Sequence, residues 1–203
     1  MSKHKIRVTP YHALPTTEVF VAKDHGEIVC TMSLVRDAGL GLPMESIYDK
    51  EINQHRRRGL KLAEVSCLAF DRKSEACSFS EISRLMAFTA QCAVRRGVHQ
   101  LVIAVHPRHA AFYHRFLAFE PIGEEKTYDA VRGKPAVAMA LDLIQLQIDH
   151  PKAYRRLFGK PFPGEVLRYK PISPSLCYEL RSLAAKTQAA DSCGISKLVP
   201  ACA

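Results

Sequence analysis

No apolar run in this chain approaches the roughly 20 residues that a membrane-spanning helix needs. The nearest, residues 135–146, is broken by Asp142 and Gln145. The N-terminus begins basic, Met1-Ser-Lys-His-Lys5, but no apolar core follows, so no secretory signal is legible. The seven cysteines (Cys30, Cys67, Cys77, Cys92, Cys177, Cys193, Cys202) form no C-x-x-C pair, and an odd, scattered set is no disulfide framework. They read as reduced thiols in a reducing compartment, several acting as small core residues. No local signature marks one as a nucleophile. Internal repeats and low-complexity blocks are missing too. These absences predict a cytoplasmic protein with no transmembrane segment. At 203 residues, 47% apolar and 24% charged, the chain has enough length for a single buried core.

What the chain does have is positive charge. A formal net charge of +9 points to an acidic partner. Nucleic acid, a peripherally contacted anionic lipid surface and an acidic carrier protein all fit that sign. Nucleic acid ranks last, because no aromatic residues interleave the basic clusters.

Periodicity organises residues 18–157 into alternating strands and helices. Glu18 to Lys23 alternates at period two and predicts a strand. Asp24-His-Gly-Glu27 is a hairpin turn, and Glu27 to Val35 is the return strand. After Gly39-Leu-Gly-Leu-Pro43, a helix is expected from about Met44 to Arg58, ended by Gly59. Leu62 to Asp71 is apolar on both faces, which marks a central strand. Ser78-Phe-Ser-Glu81 has capping-box spacing and opens a helix closed by Gly97. His99 to Val105 predicts a buried strand, and Pro107 suits the first turn of a helix to Leu117. Strands over Phe119–Tyr128 and Ala136–Leu143 and a helix over Leu143–Leu157 follow. Beyond Phe158, prolines punctuate the chain, and one short helix (about Ser175 to Lys186) precedes a polar tail. The predicted domains are therefore 1–157 and a C-terminal appendage, 158–203. The element order describes an α/β (α+β) sandwich, a mixed sheet flanked by helices.

Period-two alternation along the Leu62–Asp71 strand puts Leu62, Glu64, Ser66, Leu68 and Phe70 on one face. A carboxylate set among apolar residues on a central strand loses hydration and its pKa rises. Glu64 is therefore a candidate general base. The same placement also suits a core glutamate satisfied by an arginine or by backbone amides. His106-Pro-Arg-His109 begins where a buried strand ends and a helix starts, a usual place for ligands in α/β sheets. Tyr113 lies further along that helix, where a phenol can protonate a departing thiolate; it could equally be a packing tyrosine. His106, His109 and His114 lack the i, i+4 spacing of a helical zinc pair, and no metal is expected.

The tract Arg108 through Phe119 resembles the GNAT pattern of A-x-x-F-Y ahead of G-F: Phe112 and Tyr113 match the aromatic pair, His109 replaces the alanine and Ala118 the glycine. Three stretches in order resemble the N-acyl amino acid synthases, including the long-chain N-acyltyrosine synthases. They are Leu14-Pro-Thr-Thr-Glu-Val-Phe-Val-Ala-Lys23; Gly41-Leu-Pro-Met44 with Leu62-Ala-Glu-Val-Ser66; and His106 through Tyr113. The resemblance covers roughly residues 12 to 145 and implies a GNAT-like, mainly antiparallel sheet, akin to that of the acyl-homoserine-lactone synthases. Cys67 stands where those synthases have an arginine, which argues against a lactone product. The few residues before Glu18 leave little room for the helices that GNATs place ahead of the first hairpin, so a shortened N-terminus is expected.

The implied activity transfers a long-chain fatty acyl group to the amine of an amino acid. Glu64 would take a proton from the amine and Tyr113 would return one to the thiolate. Ser33, Leu34, Ser66, Cys67, Leu68, Phe70, His106 and Arg108 are the candidate substrate-binding residues, with Leu34, Leu68 and Phe70 as acyl-tunnel lining. The implied donor is the acyl-phosphopantetheine of acyl carrier protein, with no tightly bound cofactor. Residues 71–78 contain no glycine and two acids, unlike the Gly-rich cradle that holds the pyrophosphate of coenzyme A. Arg56, Arg57, Arg58, Lys61, Arg72 and Lys73 would dock the acidic carrier. A non-catalytic acyl-carrier or lipid-binding module with the same fold is the alternative.

Overall fold

Strand β1 (Thr17–Asp24) turns back into β2 (Glu27–Arg36) through His25 and Gly26, both at positive φ (46° and 90°), the pairing that suits a right-twisted hairpin. The computed structural model describes residues 8–70 and 79–195, with side chains to residue 186. Two compact units divide the chain: Glu18–Tyr169, and Met1–Thr17 with Lys170–Ala203. The chain thus continues in the larger unit past the expected break after residue 157.

In the larger unit β2 leads to α1 (Glu45–Arg57), then β3 (Leu62–Phe70), α2 (Phe79–Arg95), β4 (Gln100–Val105) and α3 (Pro107–Leu117). Short strands β5 (Glu120–Pro121) and β6 (Lys126–Tyr128) precede β7 (Lys134–Asp142), which is followed by α4 (Leu146–Asp149) and α5 (Pro151–Phe158). The sheet order is β1-β2-β3-β4-β7-β5, with β6 also on β7. The β2–β3, β4–β7, β5–β7 and β6–β7 pairs are antiparallel, whereas β3 and β4 run parallel. This is the mixed, mainly antiparallel sheet flanked by helices that the sequence predicts. The expected capping residue Ser78 lies outside the described residues.

Two expectations were too simple. The stretch Phe119–Tyr128 is two strands because the chain opens around Tyr48. A Cβ at Gly123 would come within 3.0 Å of that ring, and the Tyr48 hydroxyl lies 2.6 Å from the Ala136 carbonyl and 2.9 Å from that of Glu124. Likewise Leu143–Leu157 is two helices. Pro151 bars its predecessor from helical geometry, and His150 sits at φ −134°, ψ 64°.

The sheet is covered on both faces. Cys30, Met32, Leu34, Ala63, Leu101, Ile103, Met139 and Leu141 form a core cluster with Leu85, Met86, Ala90 and Ala93 of α2. On the other face Val35, Glu64, Val102 and Ala140 stand side by side across four strands. Leu42, Met44, Tyr48 and Ile52, at the start of α1 and just before it, are buried to within 1%.

In the smaller unit a 3-10 turn (Pro10–Ala13) precedes β1, and α6 (Pro174–Ile195) packs on it. The Cys177 thiol lies 3.2 Å from the Ala13 carbonyl oxygen. Helix α6 is longer at both ends than the sequence predicts. Among the described residues no helix is long and apolar enough to cross a membrane.

Candidate active site

A bulge in β3 resets which side chains share a face. Ser66 pairs with Ser33 and Ala69 with Thr31, so three steps on β3 match two on β2. The extra residue is accommodated at Cys67, whose φ is 53°. Glu64 and Ser66 keep company with Val35 and Ser33. Leu68 and Phe70, beyond the bulge, turn to the opposite face with Cys30 and Leu34. The expected single row from Leu62 to Phe70 is corrected accordingly. Leu34 is fully buried in the core under α2, Leu68 packs against that core, and Phe70 is 45% exposed. None of the three lines the Glu64 face.

The second determinant is where β3 and β4 part. Their ladder consists of Leu62–Gln100, Ala63–Leu101 and Glu64–Val102 and then stops. Beyond it β3 stays with β2 as far as Phe70, and β4 stays with β7 as far as Val105. The facing edges no longer satisfy each other's amides and carbonyls, and a wedge opens with Glu64 at its apex. Ser66 and Cys67 stand on one wall. The other runs up β4 into His106 and α3.

Glu64 is 3% exposed. Its carboxyl is pushed up to about 8, chiefly by burial; the Met44 amide lowers it and the nearby negative charge of Glu45 raises it. The Met44 N–H donates to Oε2 at 2.8 Å, while Oε1 has no hydrogen-bond partner among the described residues. Among the described residues no ion pair holds it. A base near 8 matches an ammonium proton far better than an ordinary carboxylate does, so transfer costs little.

Tyr113 is half-buried on α3, edge-on to Phe112 and Phe119, and packs against the core on the α2 side of the sheet. Burial raises its phenol, which stays protonated. Its hydroxyl has no hydrogen-bond partner among the described residues. Glu64 and Tyr113 therefore lie on opposite faces of the sheet. His106 caps α3, its Nδ1 accepting from the Arg108 amide at 3.2 Å, and the exposed Arg108 side chain donates to His109 Nε2 at 3.0 Å. Ser33 is buried and Cys67 is exposed. Among the described residues no three ligands gather to hold a metal ion.

The expected docking bases fare unevenly. Arg56 is committed within the molecule, its guanidinium donating to both Asp37 oxygens at 2.6 Å and to Glu45 Oε2 at 2.7 Å. Arg57, Arg58 and Lys61 are exposed, but they lie at the amino end of β3, away from the wedge. Arg72 and Lys73 lie outside the described residues. Sequence reasoning missed the roles of Met44, Glu45 and Asp37. The Gly-Leu-Pro-Met stretch marked their place, but no periodicity reveals which amide meets which acid.

The family description "N-acyl amino acid synthase FeeM" matches residues 1–142, which take in the bulge, the wedge, Glu64 and all of α3. The chain belongs to that family. A solved FeeM, an N-acyl amino acid synthase from uncultured soil microbes, is 32% identical over 66% of this chain and 74% of its own, with a TM-score of 0.63. A CoA-dependent acyl-homoserine lactone synthase, BjaI, is 14% identical over 81% of this chain and 74% of its own, with a TM-score of 0.48. Comparison with curated proteins gives no match. As a family member the protein is an enzyme, an N-acyltransferase with a GNAT-like fold.

Proposed function

We propose that this N-acyl amino acid synthase takes a long-chain acyl group from the phosphopantetheine of an acyl carrier protein and transfers it to the amine of a free amino acid. The observation that carries the reading is Glu64: a buried, unpaired carboxyl at the apex of the only parallel junction in the described sheet. The thioester enters the wedge between β3 and β4. The acceptor ammonium approaches on the α1 side and gives a proton to Glu64. Its lone pair attacks the carbonyl carbon, and unpaired amides along the wedge stabilise the oxyanion. The C–S bond then breaks and the thiolate takes a proton from Tyr113 on the α2 side; the attacking nitrogen loses its second proton to solvent as the amide forms, and water reprotonates Tyr113 and takes the proton held by Glu64.

Charge supports a carrier protein as donor. Helices α3 and α5 contact one another and contain no aspartate or glutamate, while Arg108, Arg115, Lys152, Arg155 and Arg156 are exposed on them. Helix α3 starts at the wedge mouth, so this basic face is better sited for a carrier than Arg57, Arg58 and Lys61. The absence of glycine from residues 71–78 agrees with a donor that brings no pyrophosphate. Cytoplasmic residence follows from such a donor.

The test offers full-length protein long-chain acyl carrier protein, or the matching acyl-CoA, with a mixture of amino acids, followed by mass spectrometry. N-acyl amino acids from the carrier-bound donor support the reading. Product from acyl-CoA alone overturns the donor, and no product from either overturns the activity.

A further inference from the structure

Arg56 sits at the end of α1 and makes no contact with Glu64, yet it closes a circuit that ends there. Its guanidinium spans Asp37, at the end of β2, and Glu45, at the start of α1, and also reaches Asn53 Oδ1 at 3.0 Å. Between the two acids runs the 38–44 loop. The Leu42 amide donates to Glu45 Oε1, and the Gly41 amide to the Ala38 carbonyl at 2.7 Å. Gly41, at φ 73°, lies so close that a Cβ there would meet the Glu45 carboxylate at 2.7 Å. The loop is thus wound onto a carboxylate that Arg56 anchors. At its end, the Met44 amide makes the one hydrogen bond that the Glu64 side chain has among the described residues.

We propose that Arg56 is a positioning residue for the acyl transfer: by clasping Asp37 and Glu45 it holds the loop so that the Met44 amide meets Glu64 and the Glu45 charge is turned away from it. This rests on Glu64 being the base. The surroundings of Glu64 leave few other agents. Val35 faces it from β2 and Val102 from β4, neither of them titratable. From α1 come Glu45, Arg56, the buried Tyr48, and His55, whose Nδ1 lies 2.7 Å from Gln100 Oε1. Among the described residues, Glu45 is the one charged group that acts on Glu64 directly. Losing Arg56 frees the Glu45 charge and slackens the loop, and both changes favour protonated Glu64. Replacing Glu45 with glutamine removes the repelling charge but keeps an oxygen for the Leu42 amide, and favours ionised Glu64.

The experiment reads the carboxyl itself. Full-length protein carrying 13C-labelled glutamate is titrated by NMR without substrate, and the Glu64 signal is assigned by its loss in Glu64→Gln. The Arg56→Gln midpoint should rise by about half a pH unit or more, that of Glu45→Gln should fall, and that of Arg56→Lys, which keeps charge but not the two-pronged geometry, should lie between wild type and Arg56→Gln. Midpoints that stay put in Glu45→Gln and Arg56→Lys overturn the proposal, even if Arg56→Gln is unstable or fails to fold. Because no substrate is present, this outcome is separate from a failure of Glu64→Gln to stop acylation, which would remove the base itself.

Discussion

The Met44 backbone amide and the Glu64 side chain, 20 residues apart, meet in one buried hydrogen bond of 2.8 Å. One donor among the described residues is too little to hold a buried carboxylate ionised at neutral pH, so burial keeps this carboxyl well above its ordinary range.

Replacing Glu64 with glutamine keeps the shape and the contact with Met44 but removes the base. N-acylation should fall by about 10²–10⁴-fold. In the wild type, kcat/KM should climb with pH and level off above a midpoint near 8, where Glu64 ionises. A flat profile between pH 6 and 9 would show that another group takes the proton.

The same carboxyl makes stability depend on pH. Its native value is raised from the ordinary 4.5 to about 8, so the folded state keeps a proton that the unfolded chain gives up. This contribution is complete below 4.5 and is lost as pH rises through 8. Urea unfolding of wild type and Glu64→Gln at pH 5 and pH 9 should therefore show the variant gaining, relative to wild type, about 2–4 kcal/mol at the higher pH.

Tyr113→Phe leaves the ring contacts with Phe112 and Phe119 in place and removes the acid. The rate with a thiol leaving group should fall by about 10–100-fold. A donor activated by a more acidic thiol, which leaves without a proton, should lose much less. Equal losses for both donors would make Tyr113 a packing residue.

Charge reversal separates the two basic faces. Arg108→Glu with Arg115→Glu should raise KM for a carrier-bound donor by about tenfold or more at low salt, and leave KM for acyl-pantetheine nearly unchanged. Arg57→Glu with Arg58→Glu should do neither. The reverse pattern would return docking to the end of α1.

Ala118 closes α3 at φ 62°, a left-handed position, with its amide donating to the His114 carbonyl at 3.0 Å. Glycine adopts that geometry without the Cβ clash. Ala118→Gly should stabilise the protein by about 0.5–1 kcal/mol in thermal or urea unfolding, with unchanged activity.

Sequence by itself determined the strands and helices that carry the site, because apolar spacing reports directly which residues face a core. It also pointed to a dehydrated carboxyl at Glu64, because an acid in an apolar central strand is conspicuous without coordinates. It could not decide the bulge at Cys67, which no local residue type demands, so unbroken alternation puts Leu68 and Phe70 on the face opposite the one they occupy. Arg56 looked like one more surface base, since three arginines in a row carry no sign of which one turns inward to Asp37 and Glu45. The wedge was equally invisible. Strands part where their ladder ends, and that depends on partners far apart in the chain, which only the tertiary structure brings together.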